Sequence, residues 1–100
     1  MGIGAKSFVK TFERIYESVR QKQQDHQWLE VYYAKGTDRI IVTKISDSTD
    51  DDDILIIDGF DLSRNQCVVV ARIETIDFIM KFEEKVEDRE YRQIGFQFKH

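Results

Sequence analysis

Phe8, Val9, Phe12, Ile15, Tyr16 and Val19 recur at the i, i+3/i+4, i+7 spacing of one face of an α-helix, and this is the clearest periodic signal in the chain. A helix with one apolar stripe must lay it against something, so whatever follows has to supply a complementary apolar surface. Ser7 is a suitable N-cap, and Glu13 and Glu17 alternate with Lys10, Arg14 and Arg20 on the opposite side. The spacing predicts a helix over about residues 7–23, with its stripe covering one open end of a sheet. The functional alternative is a helix that docks on a partner or a membrane surface.

Beyond residue 27 the period changes to two. Residues 28–34 are dense in β-branched and aromatic side chains and stop at Lys35-Gly36-Thr37-Asp38, which has turn chemistry. A hairpin partner over 39–45 follows. It runs into Ser46-Asp47-Ser48-Thr49-Asp50-Asp51-Asp52-Asp53, where no burial is expected and like charges repel, so an exposed loop is predicted. Ile54-Leu55-Ile56-Ile57 suits a strand buried on both faces, ended by Asp58-Gly59-Phe60-Asp61. After a turn at 62–65, residues 66–73 alternate, with Cys67, Val69, Ala71 and Ile73 on one face and Val68, Val70 and Arg72 on the other. Ile76, Phe78, Met80 and Phe82 alternate as a strand, although 76–90 also fits a helix. The charged residues 83–90 read as a solvated turn or short helix, and Ile94, Phe96 and Phe98 as a closing strand.

The expected class is therefore α+β, with an N-terminal helix leading into a strongly curved, mostly antiparallel five-stranded sheet or a small barrel. The 100 residues, 41% hydrophobic with 12% aromatics, are the size of one domain, helix about 7–23 and sheet about 28–98.

Several chemistries lack their residues. One cysteine, Cys67, makes no internal disulfide, and its face of the strand makes it a small core residue rather than a nucleophile. His26 and His100 form no ligand cluster, and no cofactor or structural metal is expected. The aspartate run is tempting as a calcium loop, but an EF-hand needs a glycine at its sixth position and a closing glutamate. Met1-Gly2 lacks the Ser or Thr at position six that myristoylation wants, and Gly2-Ile3-Gly4-Ala5-Lys6-Ser7 lacks the glycine spacing of a phosphate loop. No apolar run approaches a membrane span and no secretory signal is evident, so a cytosolic protein is expected.

Net charge is −4, split into +3 over residues 1–45 and −7 over 46–100. That balance is not the footprint of a duplex-DNA binder.

Trp28-Leu29-Glu30-Val31-Tyr32-Tyr33, Ile54-Leu55-Ile56-Ile57-Asp58-Gly59-Phe60-Asp61, Arg64, and Val70-Ala71-Arg72-Ile73-Glu74-Thr75-Ile76 resemble the successive segments of a WYL-type domain. The last segment also resembles the corresponding strand of bacterial Sm-like RNA chaperones, and a helix followed by about five strands is the element order of Sm-like barrels. Leu55-Ile56-Ile57 stands where the Trp-Tyr-Leu tripeptide would be, and the acidic loop has no counterpart.

The resemblance implies a small Sm/SH3-like barrel acting as a non-enzymatic regulatory module that binds a small ligand or single-stranded nucleic acid. It carries over Arg72 as a cation for a phosphate or other anion, with Arg64 a second match; on the surface reading Arg72 instead pairs with Glu74 or a loop aspartate. Tyr32 and Tyr33 are candidates to stack on a base. A short barrel leaves strand edges unpaired, which admits a homodimer. The alternative function is a protein-interaction or inhibitor protein, such as a small accessory factor of a phage or mobile element. It would cover a basic partner surface with Asp47, Asp50, Asp51, Asp52, Asp53, Asp58 and Asp61. No residues are assigned to catalysis.

Overall fold

The structure, a computed structural model, describes residues 4–48, 50–86 and 94–97. One helix, α1 (Ala5–Arg20), precedes β1 (Gln27–Lys35), β2 (Asp38–Asp47), β3 (Ile54–Asp61) and β4 (Gln66–Arg72). A 3₁₀ turn (Ile73–Thr75), β5 (Phe78–Glu84) and β6 (Gly95–Gln97) complete the order. The strands form one sheet in the order β4-β3-β2-β1-β5, every neighbour antiparallel, while a sixth short strand, β6, lies parallel to β2. The α+β class and the curved, mostly antiparallel sheet are as expected. The barrel alternative is not: among the described residues β4 pairs only with β3 and β5 only with β1, so the sheet stays open.

Curvature originates in β2. Its first half pairs with β1 from Lys35↔Asp38 to Tyr32↔Ile41, and its second half pairs with β6 from Lys44↔Gly95 to Ser46↔Gln97. Between the halves the register against β3 shifts at Val42/Lys44. A bulge adds a residue, bends the strand and resets the inside–outside phase. Ile40, Val42 and Ile45 are consequently all buried, which strict alternation forbids. Opposite Val42 stands Gly59. A Cβ there would run into the Ile41 carbonyl oxygen and the Ile40 side chain, so only glycine lets β2 cross so close. The segment expected to end β3 at Asp58 therefore carries it on to Asp61.

The concave side of the sheet holds the core. Ala5, Val9, Phe12 and Tyr16 of α1 bury against Leu29, Val31, Val42, Ile45, Leu55, Ile57 and Ile94. Phe12 is the hub of an aromatic cluster, 4.8 Å from Phe78, 5.8 Å from Phe96 and 6.3 Å from Phe8 between ring centroids. The predicted stripe is thus the buried face, except that Ile15 is exposed. Burial pushes the Tyr16 phenol above its ordinary value, against a backbone hydrogen bond from Ile94 that acts the other way.

Four boundaries differ from expectation. The N-cap is Gly4, not Ser7, and it has no side-chain cap; instead the Ala5 N–H donates to the Asp52 carbonyl at 2.6 Å. The Asp52 carboxylate occupies the space a Gly4 Cβ would need. The acidic loop therefore closes the positive end of a helix that has no acidic residue in its own first turn, a favourable placement for negative charge. At the other end the helix stops at Arg20, where 3₁₀-type bonds from Lys22 to Val19 and from Gln23 to Arg20 replace the α pattern. Ser46 and Asp47, expected in the exposed loop, are the buried last residues of β2. Ile73, expected as the last residue of its strand, opens a 3₁₀ turn (Ile73–Thr75), and the next strand, expected from Ile76 to Phe82, runs from Phe78 to Glu84 and so includes Glu83 and Glu84. Residues 87–90 of the charged stretch, Phe98, His100 and the Met1-Gly2 start lie outside the described residues. No helix of the described residues is long and apolar enough to cross a membrane.

Candidate binding site on the concave face

Helix α1 packs over β6, the second half of β2 and Phe78 of β5, and toward the β4 edge the inner face is only partly covered, with Cys67, Val69 and Ala71 half-buried beside the buried Tyr33 and Ile40. There the inward residues of three strands meet: Tyr33 of β1, Ile40 of β2, and Cys67, Val69 and Ala71 of β4. They line a concavity of about 590 Å³, a volume suited to a small molecule. Its rim is polar and carries both signs, Lys35 and Asp38 at the β1–β2 turn, Asp61 at the β3–β4 turn, Arg72 at the end of β4 and Thr75 in the 3₁₀ turn after it. The cavity also reaches Val70, so it extends to the open edge of β4.

Each wall has a local cause. Gly36 sits at φ 61°, the left-handed conformation the tight β1–β2 turn needs, and this places Lys35 and Asp38 opposite each other. The β3–β4 turn is organised by Asp61, whose carboxylate accepts the backbone N–H groups of Ser63 and Asn65 at 2.9 and 2.8 Å and the Asn65 side-chain amide at 3.1 Å. These Asn65 hydrogen bonds hold its carboxyl below the usual range. Cys67 points its thiol at the Asn65 carbonyl, 3.4 Å away, and is half-buried. Its place on the inner face agrees with the alternation of β4.

Of the four ligand-binding candidates, Tyr33 and Arg72 line the cavity and Tyr32 and Arg64 do not. Tyr32 projects from the opposite face of β1, where its hydroxyl donates to Glu83 at 2.8 Å and Lys81 lies 5.7 Å from its ring centroid. Adjacent residues of a strand cannot share a face, so the two tyrosines do not form one stacking platform. Arg64 occupies the β3–β4 turn, at the far end of β4 from Arg72, with φ 70°. A non-glycine residue there costs roughly 1 kcal/mol of backbone strain. Arg64→Gly is therefore expected to raise stability by about 0.5–1 kcal/mol, a Tm increase of a few degrees readable by circular dichroism. Arg72 is well exposed, and its guanidinium stands 3.9 Å from Glu74, a loose surface pair that leaves donors for another anion.

The acidic candidates separate as well. Asp47 is buried, Asp58 lies 3.7 Å from the Lys44 ammonium, Asp61 organises its turn, and Asp52 sits at the start of α1. Asp50, Asp51, Asp52 and Asp53 are all exposed, with the Asp51 carboxylate accepting the Asp53 N–H at 2.9 Å. Among the described residues no three His, Cys, Asp or Glu side chains gather as a metal site. His26 lies 3.6 Å from Glu84, at the β5 end of β1.

Sequence reasoning missed Lys35, Asp38, Ile40, Val69 and Ala71 as site residues. The alternation of β4 placed Cys67, Val69 and Ala71 on one face, but nothing local says how far α1 reaches across that face. The chain matches no protein-family model, no curated protein and no solved structure.

Proposed function

We propose that the chain is a small regulatory binding module, not a catalyst, that takes up a compact apolar ligand bearing an anionic group. The observation that carries this reading is the concavity whose apolar floor joins the buried Tyr33 and Ile40 to the half-buried Cys67, Val69 and Ala71, with a cation, Arg72, on its rim. An apolar concavity with a few polar groups at its mouth has the chemistry of a small-molecule site. The WYL-type or Sm-like resemblance implies the same kind of module; the helix-then-strands order is common to both, while the open sheet departs from a Sm-like barrel. Single-stranded nucleic acid is the less favoured occupant, because Tyr32 and Tyr33 face opposite ways and the chain is acidic. A cytosolic setting remains part of the proposal.

The test uses anilinonaphthalene sulfonate, an aromatic body with one anionic group, titrated by fluorescence against the folded protein. Ala71→Phe, which fills the floor, should abolish saturable binding. Arg72→Ala should weaken it by roughly threefold, the worth of an exposed charge contact, without moving the thermal midpoint. Equal binding by wild type and both variants would reject the site.

A further inference from the structure

Among the described residues the sheet has two unpaired edges, β4 and β5, and they are protected unequally. Along β5 the exposed Lys81 and Glu84 and the half-buried Glu83 blunt strand addition, whereas β4 reads Gln66-Cys67-Val68-Val69-Val70-Ala71, with neither charge nor proline before Arg72. It pairs with β3 without a register shift. Val68 and Val70 are 61% and 68% exposed beside it.

Hydrogen bonds past both ends of the β3–β4 ladder fix which backbone groups face outward. The Asp61 N–H donates to the Asn65 carbonyl and the Ile73 N–H to the Asp53 carbonyl. In an antiparallel ladder inward-bonded residues alternate, so Cys67, Val69 and Ala71 bond toward β3. Gln66, Val68, Val70 and Arg72 therefore direct their N–H and C=O groups at the open edge.

We infer that this edge pairs with the same edge of a second copy, antiparallel about a twofold axis at Val69. In that register Val68 of one copy meets Val70 of the other and Gln66 meets Arg72, so all four outward residues find partners, adding about eight backbone hydrogen bonds. Charge is self-complementary as well, since Arg64 comes toward Glu74 of the other copy. Shifting the axis to Val68 brings Arg72 toward Arg64, two like charges. Shifting it to Val70 leaves Gln66 beyond the partner strand. An odd shift sets outward amides against inward ones and flips the faces. The pairing lays a second strand beside the concavity but stands apart from the ligand reading.

The register is testable by cross-linking. Cys67 faces the partner's position 71 in a non-hydrogen-bonded pair, where Cα atoms stand about 4.5 Å apart, within disulfide reach. Within one chain the two positions are about 13 Å apart along the strand, beyond that reach. Ala71→Cys treated with copper phenanthroline in air should give a disulfide-linked dimer, and wild type, with Cys67 alone, should not. Val69→Cys combined with Cys67→Ser should cross-link through the axis itself. Val70→Glu, at an exposed position, should turn the dimer into a monomer in sedimentation velocity that still unfolds cooperatively, with a thermal midpoint that no longer rises with protein concentration. A monomeric wild type at high micromolar concentration, a ring of more than two chains, or failure of both cysteine variants to cross-link would overturn the pairing. None of these readouts uses a ligand, so they fail independently of the dye titration.

Discussion

Gly59→Val is expected to lose roughly 3 kcal/mol or more of stability, toward the upper end of what overpacking costs, because the new side chain meets backbone and not a flexible side-chain tip. The Cβ would occupy the place of the Ile41 carbonyl, which cannot move without breaking the β2–β3 ladder on both sides of the bulge. A domain of this size has about 5–15 kcal/mol in total, so a large part of its stability is at stake. Urea unfolding followed by tryptophan fluorescence reads the effect as a lower midpoint. A valine variant as stable as wild type would show that β2 does not cross β3 so closely.

Phe12→Ala tests the second support of the fold, the seating of α1 in the concave face. Phe12 is buried and touches the rings of Phe8, Phe78 and Phe96, from its own helix, β5 and β6. Truncation removes all three contacts and leaves a cavity that rigid strands cannot close, a loss of about 3–5 kcal/mol. Ile15→Ala, one helical turn further on but exposed, should cost under about 0.5 kcal/mol. Equal losses at the two positions in denaturant titrations would mean that α1 does not present the Phe12 face to the sheet.

What was legible in the sequence follows from the range of the interactions concerned. The stripe of Phe12 and Tyr16, the Gly36 turn and the alternation of Val68, Val69 and Val70 are local patterns, and the structure has a helix, a hairpin and a strand at those places. The bulge at Val42/Lys44 was not legible, because it is set by the close passage of Gly59, a residue some 15 positions away in the chain. The helix start was misplaced for a similar reason: Ser7 is a good local cap, but a carbonyl and a carboxylate from the distant acidic loop fill the role one turn earlier. The parallel seat of β6 beside β2 depends on β1 leaving that position after Ile41, which no short window of sequence contains.

The candidate site divides the same way. Arg72 and Tyr33 were named from residue type and resemblance, and they share the concavity. Tyr32 and Arg64 were named on the same grounds and lie elsewhere, because strand alternation sends Tyr32 to the outer face and the turn carries Arg64 to the other end of β4. The acidic run looked like one charged face. Asp50, Asp51, Asp52 and Asp53 are all exposed, Asp52 also standing at the helix start, but Asp47 is a buried strand end, Asp58 lies within β3 beside Lys44, and Asp61 organises the β3–β4 turn.

Occupancy of the concave face is the most direct check, and native mass spectrometry of the protein purified gently from its own cells measures it. Expected, whether one chain or two fly together, is an added small-molecule mass on each chain, absent from the Ala71→Phe variant prepared alongside. A ligand-free mass for wild type, or the same added mass retained by Ala71→Phe, would contradict a binding site in the concavity.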